Sequence, residues 1–187
     1  MNALQTRTAA ETPRPEQWVA DATLLRPNSR VLGWLTDSGL LTERVSRRCG
    51  SESALRVVDQ RRDVMSQADA TALGIANRDM FVREIELVCA SAVCVFAQTL
   101  VPLATLEAQP WLAELGDDAL GHRLAQQGDA RLESMEFARL LPGSALRARA
   151  LRARPDNTEA LWARRKCYRL GGRPLLVQEV FLPETFR

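Results

Sequence analysis

The sequence predicts an α+β fold, a single domain with a sheet of about six mostly antiparallel strands and helices packed on it. Two apolar runs, 80–89 and 93–101, are separated only by Ala90-Ser91-Ala92 and closed by Pro102, which reads as a hairpin. Two later runs, 160–170 and 175–182, are joined by Gly171-Gly172-Arg173-Pro174, a strong turn. Helix signals gather at the start and middle of the chain instead of alternating with strands, which argues against a doubly wound sheet. The 187 residues suit one domain with a substantial core.

Along the chain, residues 1–28 are rich in Thr, Ala, Pro and Glu, and Pro13, Pro15 and Pro27 break any long helix. They read as a poorly structured N-terminal arm with a short helical turn near Trp18, leaving 29–187 as the folded domain. Asn28 or Ser29 caps a helix carrying Val31, Leu32 and Leu35 on one side, with Gly39 as its stop. Leu40-Leu41-Thr42 opens a new segment. Residues 53–60 carry the β-prone Leu55, Val57 and Val58, and 69–78 reads as a polar connection or short helix. After the first hairpin, 105–115 and 118–127 read as short helices divided at Gly116, and 130–140 returns to strand.

A formal charge of +2 gives no field for gathering nucleic acid or an anionic membrane. No stretch is apolar enough to span a bilayer, and residues 1–15 lack the core of a secretion signal, so a cytoplasmic protein without membrane insertion is expected. The four cysteines form no CxxC pair and His122 is the only histidine, so no metal site is expected. Cys89 and Cys94 flank the hairpin turn, yet a reducing cytoplasm favours free, partly buried thiols.

The functional clue lies in two strands that each place a charge among hydrocarbon. Side chains alternate along a strand, so Phe81, Arg83, Ile85 and Leu87 share one face, and Leu175, Val177, Glu179 and Phe181 share another. An unpartnered buried charge costs several kcal/mol or more, so each needs a counter-charge or a polar ligand. A small anionic, hydroxylated molecule satisfies both. The plainer alternative is a structural ion pair of Glu179 with Arg83 or Arg165. Arg164 and Arg165 point to opposite faces, so at most one reaches an interior pocket, and neither is expected to be catalytic. His122 reads as a surface histidine, and the arginines at 139, 147, 149, 152 and 154 read as a solvated, mobile loop.

The residues around the two charges resemble the chorismate lyases of ubiquinone biosynthesis. The resemblance rests on Trp34-Leu35, Leu41-Thr42, Val82-Arg83-Glu84-Ile85, Thr99-Leu100-Val101-Pro102 with Thr105-Leu106, and Leu120-Gly121. It is strongest in Leu161-Trp162-Ala163-Arg164-Arg165 and in Gly172-Arg173-Pro174-Leu175-Leu176 running into Glu179-Val180-Phe181-Leu182-Pro183. It implies a cofactor-independent carbon–oxygen lyase that converts chorismate to 4-hydroxybenzoate and pyruvate. Arg83 then binds the ring carboxylate and Glu179 meets the hydroxyl end, these two being the catalytic pair. Leu41, in place of the family's methionine, and Leu120 complete the substrate-binding set.

Two departures stand out. Gln98 replaces an arginine common before the threonine of the second hairpin strand, and Ala90-Ser91 replaces a turn that is commonly Asp-Gly. The first threatens the grip on a substrate carboxylate; the second suits positive φ poorly. The rival reading is a non-catalytic aromatic-acid-sensing domain like those of GntR-type regulators. Such regulators carry a DNA-reading domain ahead of the sensor, for which the Pro-broken segment before the first strand is too short. A monomer is expected, with product release limiting turnover.

Overall fold

A computed structural model of the protein describes residues 16–154 and 157–187. The helix read at 29 is α1, Ser29–Thr36, capped by Asn28, whose side chain accepts from the Val31 N–H at 2.9 Å. Next come α2 (Leu41–Cys49), β1 (Ala54–Val64) and α3 (Gln67–Leu73), followed by the hairpin strands β2 (Asp79–Cys89) and β3 (Ala92–Pro102). After these lie α4 (Leu103–Ala108), α5 (Leu120–Gln126), β4 (Ala130–Leu140), α6 (Ala145–Ala150), β5 (Leu161–Leu170) and β6 (Arg173–Phe181). The six strands form one sheet in the order β1-β2-β3-β6-β5-β4, with every neighbouring pair antiparallel.

Both faces of this sheet are covered, so both strand periods are apolar. On one face α1 and α2 bury Val31, Trp34, Leu35 and Val45 against Leu87, Val95 and Phe181. Further along the same face, Leu120 and Leu124 of α5 pack with Val101, Leu170 and Leu175. The opposite face is closed by α6 over Phe96, Ala163 and Val180 and by α3 over Val82, Leu100 and Leu176.

Several expectations change. Residues 1–15 of the N-terminal arm lie outside the described residues; within 16–28, Val19 bridges to Phe137 and the helical turn falls at 22–25 instead of at Trp18. The arginine-rich stretch is not a solvated loop. It contains α6, where Arg147 donates to the Glu159 and Asn157 carbonyls, and Arg149 of α6 and Arg152 just after it reach Glu84 and Glu86 from above. Those two glutamates are buried on the face opposite Arg83, so β2 carries charge on both sides.

The thiol expectation also fails for two cysteines: Cys49, closing α2, is bonded to Cys89, closing β2. A register shift after Leu87 explains why Cys94 is not the partner. Leu87 pairs with Val95 and Val88 with Val93, so Cys94 is the extra residue of a bulge and donates weakly to the Ala92 carbonyl. Cys94 and Cys167 are free and buried.

Candidate functional site

On the face shared by α1, α2 and α5, the two apolar clusters do not meet. Between them lies a cavity of about 330 Å³, in the range of small-molecule sites. Its floor is the outward row of four strands: Arg83, Ile85 and Leu87 of β2, Ala97 and Thr99 of β3, Val177 and Glu179 of β6, and Lys166 and Tyr168 of β5. Its roof comes from the first turns of α2 and α5, including Leu41, Thr42, Leu120 and Gly121. The structure therefore brings together all four residues singled out from the sequence: Leu41, Arg83, Leu120 and Glu179.

Arg83 is 2 % exposed and anchored by Nη2, which donates to the carbonyls of Gly116 (2.8 Å) and Asp118 (3.0 Å). Gly116 adopts φ +52°, a conformation that suits glycine and turns its carbonyl toward the arginine. The Nε–H of Arg83 is buried and has no partner among the described residues. Burial pushes this guanidinium below its ordinary value, with Asp117 and Asp118 opposing the shift. A carboxylate oxygen at Nε would supply the missing acceptor to a charged donor.

Glu179 stands diagonally across the floor. Arg83 aligns with Thr99 and Val177, and Glu179 lies two residues beyond Val177, so the two α-carbons are about 12 Å apart by strand and residue spacing. The pair does not neutralise itself. Glu179 is instead bonded by Arg164, its register neighbour on β5, whose Nη1 also donates to the carbonyls of Trp34, Leu35 and Asp37 at the end of α1. The structural ion pair weighed from sequence thus exists with a different arginine. Arg165 faces the opposite layer, bonded to Glu136 and Asp69.

Leu40 precedes α2 without a side-chain cap, unlike Asn28, Ser66 and Ser144 before α1, α3 and α6. Leu40, Leu41 and Thr42 line the cavity, so a helix start with free N–H groups opens on it. Gln98 takes no part. It faces the other layer, where its Nε2 donates to Glu84, so its substitution for arginine removes no cation from the cavity in this arrangement. His122 is exposed and meets the Thr42 hydroxyl at 3.2 Å. Both line an open, mixed-charge cleft of about 1020 Å³ that shares Thr42, Leu55 and Ala119 with the cavity and forms its outer side.

Lys166 and Tyr168 were missed. Burial lowers the Lys166 ammonium, opposed by Glu179, and raises the Tyr168 phenol to about 12, with Glu179 adding to the rise. The signal that finds both is the alternation that runs from Arg164 through Lys166 to Tyr168 on one face of β5. Among the described residues no three His, Cys, Asp or Glu side chains gather to hold a metal ion, and no helix is long and apolar enough to cross a membrane.

The family described as chorismate lyase matches residues 13–187. A protein of Psychromonas ingrahamii named "Probable chorismate pyruvate-lyase" is 33 % identical over 169 residues, covering 90 % of each chain. Among solved structures, PhnF from Mycobacterium smegmatis is similar at TM-score 0.61 and 14 % identity, over 81 % of this chain and 67 % of that one. A GntR-family transcriptional regulator from Bacillus cereus is similar at TM-score 0.53 and 15 % identity, over 73 % of this chain and 96 % of that one. At such identities the two structural likenesses establish shared fold alone.

Proposed function

The chain belongs to the chorismate lyase family, and on that premise we propose that it is a chorismate pyruvate-lyase, converting chorismate to 4-hydroxybenzoate and pyruvate. The observation that carries the reading is the cavity with the unpartnered Nε–H of Arg83 at one end and Glu179 diagonally opposite. Arg83 takes the ring carboxylate and Glu179 accepts from the ring hydroxyl, so the two residues measure the length of the ring. Leu41 and Leu120 press on the ring from above, and the uncapped start of α2 adds oriented N–H groups for the dianion.

The reaction removes a proton from the hydroxyl-bearing carbon, breaks the neighbouring carbon–oxygen bond and leaves an aromatic ring. The oxygen departs with enolpyruvate, which becomes pyruvate on taking up a proton. Aromatisation provides the driving force, and the protein positions and polarises. No redox change and no external nucleophile enter this balance, and the reading takes the reaction to run without cofactor, in a cytoplasmic monomer that binds no nucleic acid. Its product would supply ubiquinone synthesis. The sensor-domain alternative rests on fold likeness, whereas the family match spans nearly the whole chain.

Purified protein incubated with chorismate alone should release 4-hydroxybenzoate and pyruvate in equal amounts; absence of both overturns the reading. Glu179→Ala should abolish turnover, and Glu179→Gln separates its two chemical roles. Glutamine keeps an acceptor for the hydroxyl but is no base. Turnover kept within about tenfold assigns anchoring, and a loss of about 100-fold or more assigns proton removal.

A further inference from the structure

We propose that Lys166 is a second anion-binding residue of the cavity, holding the carboxylate of the enolpyruvyl ether, a group that the substrate has and the aromatic product lacks. The inference rests on chorismate being the substrate.

Lys166 is the only lysine in the chain, where every other basic side chain apart from His122 is arginine. Its side chain is 7 % exposed, lines the cavity, and has Glu179 Oε2 at 3.9 Å as the partner to its charge. That distance is too long for a hydrogen bond, and the same oxygen already accepts from Arg164. An ammonium has three donors, and a buried one left without acceptors is costly, so the protein retains here a cation whose hydrogen bonds its own described residues leave unmade.

Position and charge both fit the second carboxylate. Lys166 aligns with Val177, Val177 with Thr99, and Thr99 with Arg83, so one row across the cavity floor ends in a cation on each side, about 14 Å apart by strand spacing. With the ring carboxylate on Arg83 and the hydroxyl at Glu179, the ether sits on the carbon next to the hydroxyl-bearing one. Its carboxylate therefore falls at the end of the cavity that Lys166 shares with Glu179. Since Arg164 offsets Glu179, Arg83 and Lys166 remain as two cations for a dianion. Once the carbon–oxygen bond breaks, 4-hydroxybenzoate keeps only the carboxylate on Arg83, and Lys166 no longer holds the aromatic product.

The test is a ratio that a merely structural lysine would not move. Lys166→Met should fold, because Glu179 keeps Arg164. It should raise KM for chorismate by roughly 10- to 100-fold while leaving the inhibition constant of 4-hydroxybenzoate within about threefold. Arg83→Gln should raise both. Equal shifts of the two constants in Lys166→Met, or no shift in either, would overturn the proposal.

A measurement on the unaltered protein does not depend on that variant folding. 3-(Carboxymethoxy)-4-hydroxybenzoate should bind about tenfold or more tightly than 3-methoxy-4-hydroxybenzoate, which lacks only the second carboxylate. Equal or weaker binding of the diacid overturns the proposal. Because this comparison needs no turnover, failure of the lyase reading and failure of the Lys166 assignment are told apart.

Discussion

Arg164 and Glu179 occupy paired positions on β5 and β6, and the Nε–H of Arg164 donates to the Glu179 carboxylate in near-complete burial. The same guanidinium ties down three carbonyls at the end of α1. One side chain thus fixes the site carboxylate and the helix beside it. Removing the cation leaves a buried carboxylate without its hydrogen-bonded partner, only the Lys166 ammonium remaining 3.9 Å away, and three carbonyls without this donor, the costly way to break a buried pair. Arg164→Met should lower the unfolding free energy by about 3–5 kcal/mol in a urea titration. Arg164→Lys should recover little of it, since an ammonium lacks the planar fork that reaches carboxylate and carbonyls together. A variant as stable as the parent would show that the pair is dispensable.

Arg83 calls for a different expectation, because its main-chain bonds and its free edge serve different ends. Nη2 holds the 116–118 turn against β2, while Nε is left for a ligand. Arg83→Lys keeps the charge but cannot hold the 116–118 carbonyls and offer a separately directed N–H to a ligand at once. Steady-state kinetics should show KM for chorismate raised about 10- to 100-fold, with kcat changed far less. A fall in kcat with KM unchanged would instead place Arg83 in the bond-breaking step.

The strands of the two hairpins were legible because each run is long and bounded by turn residues. Asn28 and the Gly171-Gly172 turn are equally local signals: one side chain caps a helix, and two residues tolerate φ +57° and +78°. Arg83 and Glu179 stood out because an ionised group on an apolar face violates its surroundings. Arg164 did not, since alternation separates it from Arg165 without saying which of the two faces the cavity. The register with β6 decides that, and register is a long-range property. For the same reason Arg149 and Arg152 read as solvated: their partners, Glu84 and Glu86, lie more than 60 residues away in sequence. Lys166 was hidden behind its neighbours in a run of three basic residues.

The hairpin turn was read as a poor fit to positive φ, and Ala90 does adopt φ +55°. A Cβ there crowds the backbone, a cost glycine avoids. Ala90→Gly should therefore stabilise the protein by about 0.5–1 kcal/mol, the relief of strain exceeding the entropy that glycine adds to the unfolded chain. Chemical denaturation of the two proteins under one set of conditions measures the difference. A destabilised Ala90→Gly would mean that the turn relaxes elsewhere.

Tyr168 offers a direct reading of the cavity, because it is the only tyrosine in the chain. Burial raises its phenol to about 12 from the ordinary 10.0, and the nearby Glu179 adds to the rise. Phenolate absorbance should therefore titrate near 12 in the folded protein and near 10 in denaturant, with no second tyrosine to confuse the curve. The sign for stability follows from the folded value being the higher one. The contribution is full below pH ~10 and is lost as pH climbs toward 12, about 2–3 kcal/mol in all. Lys166, whose ammonium is lowered by burial, works with the opposite sign in the alkaline range, so the quantity to measure is the difference between the parent and Tyr168→Phe. That difference should shrink steadily from pH ~9 to ~11.5. A phenol that ionises near 10 in the folded protein would place Tyr168 in water, and the cavity would then be open where β5 closes it.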